Sequence, residues 1–131
     1  MKPVSVMIVE NNTDLRNTLR RAFEDHDYPT WTCQEPETAV SVFAAIHPSV
    51  VLLDLDIEWA NPLELIDAWK DISPETRVIV ESVTADAVRM QEAIDHGAQV
   101  FLIKPYSLTH LFELLEGENP AAIKVMGSTA A

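Results

Sequence analysis

Cysteine is almost absent. Cys33 is the one thiol in 131 residues, so no internal disulfide can form and no metal site can be built from thiolates alone. Glycine is scarce too, with 3 in the chain and none before Gly97, which argues against a glycine-rich loop cradling a phosphate near the start. Positive charge is in short supply: 9 Lys and Arg stand against 21 Asp and Glu, a net charge of −12. Neutralising a nucleic-acid backbone or an anionic membrane needs clustered bases. The one local group, Arg16, Arg20 and Arg21, reads as a single helix face, so neither direct nucleic-acid contact nor membrane binding is expected. No run reaches the roughly 18 apolar residues of a membrane helix. Met1-Lys2-Pro3 opens onto an apolar stretch too short for a signal peptide, and a reducing, cytoplasmic setting is the expectation.

What is present alternates. Val4 to Val9 is β-rich and ends at Glu10-Asn11-Asn12, where Asn and Thr13 offer helix caps. Leu15, Leu19, Ala22 and Phe23 then recur with the period of a helix covering a core. Thr30 to Cys33 follows as a short strand, and a helix runs from Pro36 to Ile46, stopped by His47-Pro48. Val50-Val51-Leu52-Leu53 is unbroken and branched, as in a central strand buried on both faces of a parallel sheet. A helix from about Leu63 to Asp71, a strand at Val78 to Val80 and a helix from Asp86 to His96 closed by Gly97 come next. Val100 to Ile103 is a fifth strand, and Leu108, Leu111, Phe112 and Leu115 form a last amphipathic stripe. The pattern predicts one α/β domain over residues 1–117, a doubly wound (βα)5 fold with a flavodoxin-like parallel sheet ordered 2-1-3-4-5. Residues 118–131 are expected to be a tail or linker.

In such a sheet ligands bind beyond the carboxyl ends of the strands, where the order reverses. Glu10, Asn11 and Asn12 follow strand one, Asp54 and Asp56 end strand three, Ser82 and Thr84 follow strand four, and Lys104 follows strand five. Converging carboxylates repel one another, and a divalent cation is the natural way to hold them; oxygen donors of this kind suit Mg²⁺ or Mn²⁺. A carboxylate beside such a metal, with an ammonium and a hydroxyl near, can attack a phosphoryl group.

With these residues in place, the chain resembles the receiver domain of two-component response regulators, from about Lys2 to Glu116. The resemblance implies that Asp54 is the phosphoacceptor, Glu10-Asn11 the acidic pocket and Ser82 the switch hydroxyl, followed by Val83 among the small phosphoryl-binding residues. It places the strand-five lysine at Lys104, followed by Pro105 as a candidate cis peptide, and the aromatic switch at Phe101; Gly97-Ala98 also fits. Mg²⁺ would be held by Glu10, Asp54 and the backbone carbonyl of Asp56. Taken by itself, the Asp56 side chain is expected to point to solvent. Asn11 would add an oxygen or a water-mediated contact, or serve only as a helix cap. The implied partners are a histidine kinase or phosphotransfer protein, and a second copy meeting the face of helix four, strand five and helix five. The chain departs from the family at Asn11, where a second acid is usual, and in Ile57-Glu58-Trp59-Ala60-Asn61-Pro62, which lacks the usual Met-Pro and Asp-Gly.

Three other readings share some of these features. A phosphatase of the haloacid dehalogenase type also carries Asp-x-Asp after an apolar strand, but on its first strand and with acids downstream of its lysine. A flavodoxin-like cofactor binder needs glycines and hydroxyls where Glu10 stands. A receiver-like module that signals by contact without being phosphorylated is the remaining alternative, motivated by Asn11 and the altered loop.

Overall fold

The computed structural model describes residues 4–58, 61–84 and 86–116, and the backbone of 124–126. Trp59 and Ala60 in the loop after Asp54, and most of the tail, lie outside the described residues.

Strands β1 (Val6–Val9) and β3 (Val50–Asp54) are buried along their whole length, which is why their apolar runs carry no polar alternation. They pair with each other and with β2 (Thr30–Cys33) and β4 (Arg77–Ser82), and β5 (Val100–Ile103) joins beyond β4. All pairings are parallel, and β1 to β5 stand in the order 2-1-3-4-5 expected from the sequence. The linking helices are α1 (Thr13–Asp25), α2 (Pro36–Ile46), α3 (Pro62–Ile72) and α4 (Ala87–Asp95), with α5 (Leu108–Glu116) after β5. Proline opens α2 and α3, where its missing N–H costs nothing. Asn12 and Asp86 cap α1 and α4 by accepting the amides of Leu15 and Val88, each at 2.9 Å. Gly97, at φ +113°, takes the turn out of α4 in a conformation that a side chain would strain.

The tail contributes more than the sequence suggested. Lys124–Met126 form β6, parallel to β5 with Val100 opposite Lys124. A three-residue strand has no periodicity to read, and its pairing is decided by the open edge of β5 rather than by its own residues.

Strand alternation divides the core into two layers. Val6, Ile8, Leu52, Ile79 and Leu102 meet α1 and α5 through Leu19, Phe23, Leu111 and Phe112. Met7, Val9, Val51, Leu53, Val80 and Phe101 meet α2, α3 and α4 through Phe43, Ile66, Trp69 and Ala93. Cys33 belongs to the second layer, a buried free thiol that burial pushes up to about 11. No helix among the described residues is long and apolar enough to cross a membrane.

Phe23 is fully buried and meets the rings of Tyr28 and Phe112 edge-on, with centroids 5.8 and 5.2 Å away. Phe23→Ala should therefore cost about 3–5 kcal/mol in urea unfolding, the range for removing a core aromatic. A loss below about 1 kcal/mol would mean the aromatic cluster closes over the gap.

Candidate functional site

The register sets the site. Asp54 stands opposite Glu81 across β3 and β4, and Val9 stands opposite Leu53, so Glu10 follows beside Asp54. Alternation points Asp54 and Glu81 to the α1/α5 side, whereas Ser82 shares the α4 side with Val80 and Phe101. Three carboxylates thus line one end of the sheet on neighbouring strands, and Lys104 follows on β5.

Lys104 is the ammonium among them. Its Nζ lies 3.1 Å from Glu10 Oε1 and 3.3 Å from Asp54 Oδ1. Burial pulls its pKa down, but Glu81, Asp54 and Glu10 outweigh that and raise it, so it stays charged. The peptide bond from Lys104 to Pro105 is cis. Glu10 is fully buried; its Oε2 accepts the Asn12 amide at 3.0 Å. Burial works against its charge, yet its bonds to Asp54, Asn12 and Lys104 hold its carboxyl below the usual range. Asp54, 2% exposed, takes the strain of the pair: burial first, then Glu10 beside it, push it up to about 6 despite the Asp56 amide and Lys104.

The other expected residues divide. Ser82 is fully buried and Phe101 almost so, on adjacent strands. Asn11 is exposed, and the cap of α1 is its neighbour Asn12. Asp56 donates its amide to Asp54 Oδ1 at 2.9 Å. Its carboxylate does not point to solvent as expected: Oδ1 accepts the Ser82 hydroxyl and Oδ2 the Val83 amide, each at 2.8 Å. Loop side chains turn toward whatever donors the fold brings near, and these donors come from β4 and the residue after it. No three His, Cys, Asp or Glu side chains form a ready-made metal cage among the described residues.

Three residues escaped the sequence reading. Arg16 is buried, and its guanidinium donates to the Glu10 carbonyl at 2.9 Å, holding the loop that carries Glu10. The signal was its spacing of three and seven from Leu19 and Phe23, a stripe position rather than a solvent face. Glu81 is 1% exposed; Tyr106 donates its hydroxyl to Glu81 Oε2, and Oε1 has no hydrogen-bond partner among the described residues. Burial pushes Glu81 up to about 8 against the pull of Tyr106 and Lys104. Its signal was an acid directly after the apolar run Val78-Ile79-Val80 and still within the strand. Arg89 on α4 lies 3.4 Å from Asp56 Oδ1 and donates to the Leu55 carbonyl.

A family model described as the response regulator receiver domain matches residues 6–116. The regulatory protein AtoC of Escherichia coli is 29% identical over 81% of this chain, which spans 23% of that protein. Sporulation initiation phosphotransferase F of Bacillus subtilis is 24% identical over 88% of this chain and 93% of its own length. The chain spans about a quarter of AtoC and of the nitrogen assimilation regulator NtrX of Azorhizobium caulinodans, 23% and 25% of their lengths. Among solved structures, a response regulator of Burkholderia pseudomallei has the same fold, with a TM-score of 0.81 at 22% identity over 89% of this chain and 68% of its own. That crystal holds a phosphorylated aspartic acid, a calcium ion and citrate. Chemotaxis protein CheY4 of Vibrio cholerae also reaches a TM-score of 0.81, at 18% identity over 88% of this chain and 98% of its own.

The Asp54 carboxyl sets a pH dependence. Its folded pKa of about 6 lies above the ordinary aspartate value of 3.8, so the folded chain binds more protons between those values and Asp54 lowers stability as pH rises through them. Asp54→Asn should gain stability over the unsubstituted chain between about pH 4 and pH 7 in chelator, by up to about 3 kcal/mol for two pKa units. Parallel unfolding curves at both pH values would contradict the raised pKa.

Proposed function

The chain belongs to the response regulator receiver domain family, and on that premise we propose that it accepts a phosphoryl group on Asp54 from a histidine kinase or phosphotransfer protein. The observation that carries this reading is Lys104, held 3.1 Å from Glu10 and 3.3 Å from Asp54 at the carboxyl end of a parallel sheet. Asp54 Oδ1 is occupied by Lys104 and the Asp56 amide, so Oδ2 is the oxygen proposed to attack. As its bond to phosphorus forms, the P–N bond of the phosphohistidine breaks and the electron pair leaves with the imidazole. A folded pKa of about 6 keeps Asp54 mostly ionised at neutral pH.

The donor set fits a hard divalent cation, since Glu10 and Asp54 offer carboxylate oxygens and the Asp56 carbonyl adds another. Mg²⁺ bound there would offset charge on the transferring oxygens, and Asn11 would contribute an oxygen or a water contact. On the protein's side, Lys104 supplies a fixed positive charge, Arg16 holds the Glu10 loop, and the buried strand ends exclude water. Ser82 is the hydroxyl proposed to follow the phosphoryl group, with Phe101 packed on the same side of the sheet. The proposed readout is the face of α4, β5 and α5, meeting a partner or a second copy.

Incubation with acetyl phosphate and Mg²⁺ should add one phosphoryl group by intact mass, and Asp54→Asn should add none. Lys104→Met should slow uptake by about 100-fold, the usual cost of losing one donor to a developing oxyanion. Unmodified protein with acetyl phosphate and with a panel of kinases would overturn the reading. Asn11→Asp adds a third anionic ligand and should tighten Mg²⁺ binding by about tenfold while lowering stability in chelator. Equal affinities in calorimetry would sink the idea that Asn11 tunes the site.

A further inference from the structure

A phosphoryl group on Asp54 carries oxygens that need donors. Besides Lys104, the donors proposed for them are the Ser82 hydroxyl at the end of β4 and the amide of Val83 after it. Both are taken. Asp56 Oδ1 accepts from Ser82 and Oδ2 from Val83, each at 2.8 Å, and Arg89 stands 3.4 Å from the same Oδ1. Two donors converging on the two oxygens of one anion is the arrangement that recognises a phosphoryl or carboxylate group. Here the anion is built into the chain, two residues beyond the acceptor.

We propose that the Asp56 side chain is a positioning residue that acts through Ser82 and Val83. It holds these donors in the unmodified chain, competes with the phosphoryl group for them, and yields to it when Asp54 is modified. This rests on Asp54 being the acceptor and names how that site is controlled. Two further features support it. The Asp56 side chain is 27% exposed, so it has a way out once displaced, whereas Ser82 is fully buried and has none. Arg89 belongs to α4 and also donates to the Leu55 carbonyl, so Asp56 ties α4 to the loop after β3. Displacing Asp56 loosens that tie. The event at Asp54 therefore reaches α4 through an ion pair that breaks, in addition to any movement of Phe101.

The test compares the unsubstituted chain with Asp56→Ala, with Asp56→Asn, which keeps the shape and one acceptor, and with Glu58→Gln. Glu58 is an exposed acid in the same loop, so its substitution controls for charge repulsion of the phosphodonor. Without any donor, Asp56→Ala should move the Val83 amide proton upfield in NMR as its bond to a carboxylate is lost, and Asp56→Asn should move it less. With acetyl phosphate and Mg²⁺, Asp56→Ala should take up phosphoryl about tenfold faster, because two charge-assisted bonds no longer have to be exchanged. An unmoved Val83 amide in Asp56→Ala would overturn the proposal. So would an equal acceleration in Glu58→Gln, which would reduce the effect to net charge. If none of these chains is phosphorylated while Val83 still shifts, the acceptor reading fails and the hold of Asp56 on the two donors stands.

Discussion

One ammonium serves three buried carboxylates. Lys104 bonds Glu10 and Asp54 directly and feels Glu81 as its largest favourable charge partner. Taking four ionisable groups out of water together is costly unless they neutralise one another, and one cation cannot neutralise three anions. The excess shows in the protonation preferences. Glu10 keeps its charge, Asp54 is lifted to about 6 and Glu81 to about 8. The sheet is what enforces this proximity, since in-register parallel pairing fixes Asp54 beside Glu81 whatever their mutual repulsion.

A site so arranged is held in a state that added positive charge would relieve. That is the thermodynamic sense in which the strand ends suit the proposed cation: stability given up there would be returned when it binds. Tyr106 closes the far side by donating to Glu81, and Arg16 closes the near side from α1. Neither touches Asp54 directly. Both limit how far the carboxylates can separate.

The arrangement of elements was legible because a parallel sheet leaves an unmistakable trace. Val50 to Leu53 carries no polar alternation, and strand-sized runs alternate with helical stripes. The positions of Glu10, Asp54, Ser82 and Lys104 followed from the same rule, being the polar residues at strand ends. What stayed hidden depends on direction rather than position. Whether Asp56 faces solvent or Ser82 is decided by contacts between loops, and no spacing encodes that. Arg16 was grouped with Arg20 and Arg21 on one helix face, although its spacing from Leu19 and Phe23 places it on the buried stripe. Lys124–Met126 gained a partner only because β5 left a ladder open beside them.

Cys33 offers a different kind of access to the molecule. It closes β2 under α2, is 1% exposed, and has a thiol pushed up to about 11. Since the thiolate is the reactive form, a buried and protonated sulfur is inert toward alkylating reagents until the layer above it parts. A single such sulfur, in a chain with no other, turns the rate of labelling into a clock for opening of the α2–α3 layer. The same clock can be read with and without a cation or phosphodonor at the same end of the sheet, where the Cys33 carbonyl accepts the Glu10 amide at 3.2 Å.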